Sequence, residues 1–119
     1  AKEKEWDIEQ ALLSHQIVIR FHELATYVTA PTEKEWRDLN EIISQHLPDF
    51  YAKIHDASYA LASQEFKTSI LVRLYFSPSE IATLLNLKNQ RVSNIRSAIN
   101  KKLFSINGAK GIDKNIREM

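Results

Sequence analysis

The 119-residue chain has no cysteine, which excludes a disulfide framework, a cysteine-ligated zinc site and thiol catalysis. Glycine occurs twice and proline three times. So few turn-forming residues argue against an all-β sandwich or barrel, whose many tight turns call for them. No apolar run approaches the ~18–20 residues of a membrane-crossing helix, and no signal peptide begins at Ala1. The one methionine is Met119, and a chain opening on Ala1 is expected to be a soluble piece cut from something larger. No Gly-rich phosphate loop is present, and no glycine elbow surrounds Ser14, Ser58 or Ser63, so neither nucleotide chemistry nor nucleophilic catalysis is indicated. The histidines at 15, 22, 46 and 55 form no HExxH motif or close pair, so they read as helix-edge residues and no metal or cofactor is expected. What remains is an ordinary globular composition, 44% apolar and 26% charged, of a length that suits one domain on the prior of ~100–200 residues.

Charge is unevenly placed. Residues 1–87 carry eight Lys/Arg against thirteen Asp/Glu, a net of −5, whereas residues 88–119 carry eight against two, a net of +6. A near-neutral sum thus hides an acidic body and a basic closing segment, which creates a local field able to attract a polyanion.

Apolar periodicity is helical throughout, and nothing reads as strand. Trp6, Leu13, Ile17, Phe21, Leu24 and Val28 make one stripe of a long helix over residues 4–28, ended by Pro31. That stripe suits either a self-packed bundle or a dimer seam. Thr32 and Glu35 form a capping box for a second helix with Trp36, Leu39, Ile42, Ile43 and Leu47 inward. Trp6 and Trp36 are expected to be packing anchors. Phe50, Tyr51 and Ile54 predict a short third helix, with a soft boundary near residue 60. Beyond it, Phe66, Ile70, Leu71 and Leu74 give a helix closing near Phe76. Ser77-Pro78-Ser79-Glu80 is a second capping box, and the helix it starts should break at Asn86, a residue tolerant of left-handed backbone. Val92, Ile95, Ile99 and Leu103 line a final long helix, Asn89 to Phe104, with Asn89 as its expected cap. The expected fold is all-α: an N-terminal bundle of about three helices (residues 1–60), then a four-helix, wingless helix-turn-helix unit (61–119).

The last two helices carry the functional signal. Ala82 is small where they would approach, Asn86 occupies the turn, and Ile81, Leu85, Leu87, Val92 and Ile95 fill the wedge between them, as a helix-turn-helix requires. With the apolar stripe inward, Gln90, Arg91, Ser93, Asn94, Ser97 and Lys101 face out, and no carboxylate occurs from Lys88 to Ala109. Gln and Asn can pair bidentately with adenine, Arg with guanine, and Ser with either. The reading therefore gives base contacts to Gln90, Arg91, Ser93, Asn94 and Ser97. It gives phosphate contacts to Ser79, Lys88, Arg96, Lys101 and Lys102.

The stretch Glu65 to Leu103, with Ser79-Glu80-Ile81-Ala82, Val92 and Lys102-Leu103, resembles the helix-turn-helix domain of LuxR-type response regulators and of region four of bacterial sigma factors. More broadly the chain is similar to the C-terminal cytoplasmic part of bacterial tetratricopeptide-repeat membrane regulators. The resemblance implies a cytoplasmic transcriptional regulator fragment that binds double-stranded DNA. Separately, the missing catalytic motifs argue against an enzyme, and the apolar stripe of the first helix suits a homodimer on two half-sites. A competing reading is a helical interaction or dimerisation module whose helix-turn-helix is only packing, with RNA polymerase or a partner regulator as its expected partner.

Overall fold

The computed structural model describes residues 2–119, with side chains from residue 6 onward. Eight α-helices and one 3-10 turn follow one another, with no strand among the described residues: α1 (Lys2–Leu13), α2 (Gln16–Thr26), α3 (Glu33–His46), α4 (Pro48–Ile54), a 3-10 turn (Ala57–Tyr59), α5 (Ser63–Arg73), α6 (Pro78–Leu85), α7 (Asn89–Phe104) and α8 (Ile112–Arg117).

The predicted long first helix is two helices. His15 takes an extended backbone and its Nδ1 accepts from the Ile17 N–H at 3.2 Å, so it caps α2. The stripe spacing of 4–28 runs across this break, which is why periodicity alone joins the two. The halves bury different faces: among the described side chains of α1 Leu12 alone is fully buried, whereas α2 buries Ile17, Val18, Phe21 and Leu24. Trp6 is not a packing anchor, being 62% exposed, and Val28 lies beyond the stripe at 78% exposure. Trp36 does anchor. Its indole is buried, edge-on to Phe21 at 4.9 Å, and carries Lys67 Nζ over its ring, so it joins α2, α3 and α5.

Helix ends follow local chemistry. The Thr32 hydroxyl accepts from the Glu35 N–H while Glu35 Oε1 accepts from the Thr32 N–H at 2.9 Å. That backbone bond, with the Arg20 guanidinium 2.8 Å away, holds the Glu35 carboxyl below its ordinary range. Because glycine is scarce, helices end on other residues in left-handed backbone. Val28, Tyr75, Asn86 and Ser105 all have φ between 55 and 69° or at 54°.

The core is a single cluster running from Leu12 to Ile116. α2 packs on α6, while α7 packs on α5, α6 and α8. The α2–α6 contact is one of the joins between the N-terminal and C-terminal halves, and beside it His22 of α2 stacks on Phe76, just before α6, at 4.1 Å. No described helix is long and apolar enough to cross a membrane.

Candidate nucleic-acid interface

The α6–α7 pair is built from a start signal, a stop signal and a stripe. The Ser77 hydroxyl accepts from the Glu80 N–H, Glu80 Oε1 accepts from the Ser77 N–H at 2.8 Å, and Pro78 occupies the first turn. At the far end Asn86 turns left-handed (φ 54°, ψ 50°). Its N–H donates to Thr83 O, and the Leu87 N–H reaches back to Ala82 O at 2.9 Å. This paired closure satisfies carbonyls that the last turn would otherwise leave open. Lys88 is extended, and α7 starts at Asn89. The expected cap at Asn89 does not form. Asn89 is already the first helical residue, and Lys88, which holds the cap position, has no side-chain acceptor to offer.

α7 then sorts its side chains by face. Val92, Ile95, Ile99 and Leu103 are buried. Gln90, Arg91, Ser93, Asn94 and Lys101 are exposed, and Ser97 is half-buried. Gln90 Nε2 donates to Asn94 Oδ1 at 3.1 Å, so these two amides form one pair on the outer face. Ser79 and Lys88, far apart in α6 and the turn, both line one open groove.

Two cations expected on this surface are engaged elsewhere. Arg96 is 12% exposed and donates from Nη1 to Asp113 Oδ1 at 2.8 Å. Lys102 Nζ lies 2.6 Å from Glu65 Oε1 and 3.0 Å from Ala60 O. The same Glu65 oxygen accepts from the Ala62 N–H at 2.8 Å, so Lys102 fastens α7 to the start of α5. The carboxylate-free run from 88 to 109 is a local property. Folding brings acids from α5 and α8 to it. Among the described residues, Lys88, Arg91 and Lys101 have no ion pair, and all three are exposed.

Sequence reasoning counted a fourth helix in residues 61–119 without placing it, and passed over Asn100. Asn100 is fully buried. Its Nδ2 donates to Gly108 O at 2.9 Å and Lys110 O at 3.1 Å, while Oδ1 accepts from Asn115 Nδ2 at 3.2 Å. One side chain thus shapes the connection from α7 to α8. Its position, eight residues after Val92 on the border of the inward stripe, is the signal that identifies it.

Other polar groups serve the frame. Glu9 Oε1 accepts from Arg73 at 2.9 Å and from the Tyr75 hydroxyl at 2.8 Å. Burial alone would raise the Glu9 carboxyl, but these hydrogen bonds and the guanidinium charge outweigh it and set it below its ordinary value. Arg117 donates to Val72 O and covers the Tyr75 ring at 4.3 Å. Of the remaining histidines, His46 Nδ1 sits 3.0 Å from Ile42 O, and His55 packs on Phe66 and Tyr51. Burial lowers the His55 pKa. No group of three His, Asp or Glu able to hold a metal occurs among the described residues.

A comparison of the chain with protein-family models, with curated proteins and with solved structures finds no match.

Proposed function

We propose that this chain binds double-stranded DNA as part of a bacterial transcription regulator, using α6 and α7 as a helix-turn-helix with α7 in the major groove. One observation carries the reading: the outward face of α7 is open, rich in amide and hydroxyl groups, and free of carboxylates. A merely solvated helix would usually carry Glu–Lys pairs four apart on that face. Gln90 and Asn94 suit adenine, Arg91 suits guanine, and Ser93 and Ser97 suit either base. Lys88, Lys101 and Ser79 position the duplex through phosphates. Arg96 and Lys102 now belong to the frame, since each is held by an acid from another helix. The competing interaction-module reading calls for this face to be covered by the N-terminal bundle or by a second subunit; within this chain Gln90, Arg91, Ser93 and Asn94 are exposed.

The test is selection of bound duplexes from a random pool, followed by titration of the enriched sequence. An enriched motif is expected, with Arg91→Ala weakening binding by about 1–3 kcal/mol and relaxing the preference at one base pair. No enrichment, or unchanged binding in Arg91→Ala, refutes the proposal.

A further inference from the structure

Between the α2–α3 connection and the α6–α7 turn lies an open groove of about 580 Å3, with Val28 and Ala30 on one wall and Ser79, Thr83, Lys88 and Asn89 on the other. Its polar wall offers an ammonium, hydroxyls and amides, and no carboxylate lines it. Such a wall donates hydrogen bonds to an anionic backbone, while the small apolar wall opposite suits the faces of sugar rings. Asn89 belongs both to the groove and to the first turn of α7, so the groove runs directly into the face carrying Gln90 and Arg91.

The loop wall is unusual in two ways. Tyr27 and Val28 are 76% and 78% exposed, more than any other large apolar side chain described. Val28 is also β-branched and held at φ 55°, a conformation costly for that residue type. The wall is also fixed in place. Val28 and Thr29 N–H groups bond back to Ala25 O and Leu24 O, Arg20 ties α2 to Glu35 of α3 at 2.8 Å, and α2 itself packs on α6.

We propose that this groove holds one sugar-phosphate strand of the duplex whose bases α7 reads, so that residues 27–30 of the N-terminal half form part of the DNA-binding surface. The inference rests on the DNA-binding reading above and extends it. The acidic half then contributes directly to affinity through the one loop it places beside the turn.

The test uses the full chain and a labelled duplex from the selected pool, titrated across a salt series. Ala30→Glu puts a carboxylate in the groove, and Ala30→Lys puts a cation there. Ala30 is exposed and outside any helix, so both variants should keep the fold, which far-ultraviolet circular dichroism checks. Gln45→Glu and Gln45→Lys make the same charge changes at an exposed position of α3, which packs against α1, α2 and α4. The expected result is about three- to tenfold weaker binding for Ala30→Glu. Ala30→Lys should bind tighter by a similar factor, with a salt slope steeper by about 0.9. The Gln45 pair should stay near wild type. If the Gln45 variants shift binding as much as the Ala30 variants, bulk charge explains the effect and the groove proposal fails. If Arg91→Ala weakens binding while both Ala30 variants match wild type, the groove proposal alone fails. If the wild-type chain binds no duplex at low salt, the DNA-binding reading fails and the groove with it.

Discussion

Replacing Asn100 by aspartate exchanges one NH2 group for an oxygen and leaves the volume almost unchanged, so the variant isolates hydrogen bonding from packing. In the native fold that NH2 group donates to two carbonyls, Gly108 O and Lys110 O, at a fully buried position. An ionised carboxylate there would face two carbonyl oxygens without solvent, so the introduced carboxyl keeps its proton in the folded state. Holding that proton at pH 7 against an unfolded pKa of about 3.9 costs about 1.4 kcal/mol per pH unit, or about 4 kcal/mol. The protonated group has one donor for two carbonyls, which adds about 1 kcal/mol for the lost bond. The sum is a large part of a typical stability of about 5–15 kcal/mol. The sign is fixed by linkage. The folded pKa is raised, so the penalty is small below the unfolded pKa and grows as pH rises. Urea unfolding followed by tryptophan fluorescence and circular dichroism at pH 4, 5.5 and 7 measures it. The gap between wild type and Asn100→Asp should widen from about 1 kcal/mol at pH 4 to about 4–5 kcal/mol at pH 7, while Asn100→Ala shows a pH-flat deficit. A gap that is equal at pH 4 and pH 7 refutes the argument.

The two tryptophans should behave oppositely. Trp36→Ala should cost about 3–5 kcal/mol because it empties a buried site shared by three helices, whereas Trp6→Ala should change stability by no more than about 0.5 kcal/mol. The Glu9 carboxyl, lowered by its Tyr75 and Arg73 partners, should stabilise the wild type over Glu9→Gln by about 1 kcal/mol at neutral pH. That advantage should disappear as pH falls below the ordinary value of 4.5; an advantage that persists at lower pH would contradict the assigned hydrogen bonds.

Local chemistry made part of this molecule readable in advance. The capping boxes at Thr32 and Ser77, the left-handed Asn86 and the inward stripe of α7 each depend on residues within a few positions of one another, and the structure has each as expected. The misses have the opposite character. The break at His15 is invisible to periodicity because the apolar spacing stays in phase across it. α8, the fourth helix expected in 61–119, could not be placed, because it is six residues long with only Ile112 and Ile116 buried. Arg96 and Lys102 looked available because their acids, Asp113 and Glu65, lie 17 and 37 residues away in sequence. Trp6 stays exposed because α1 turns Leu12, one residue off the expected stripe, toward the core.

The reassignment of Arg96 and Lys102 alters a measurable quantity. A duplex contact that neutralises one phosphate changes the slope of log affinity against log salt by about −0.9. The sequence alone assigns four cations to phosphates, at positions 88, 96, 101 and 102, which would give about −3.6 per chain. Of these the fold leaves Lys88 and Lys101 without an ion pair among the described residues, and two phosphate contacts give about −1.8. Single charge removals decide between the two counts. Lys101→Gln should flatten the slope by about 0.9, whereas Arg96→Gln and Lys102→Gln should lower stability and leave the slope nearly unchanged. If Arg96→Gln and Lys102→Gln both flatten it as much as Lys101→Gln does, their ion pairs open on binding and the larger count is correct. A wild-type slope near twice −1.8, with the three variants keeping that order, is the outcome expected when two chains occupy one duplex.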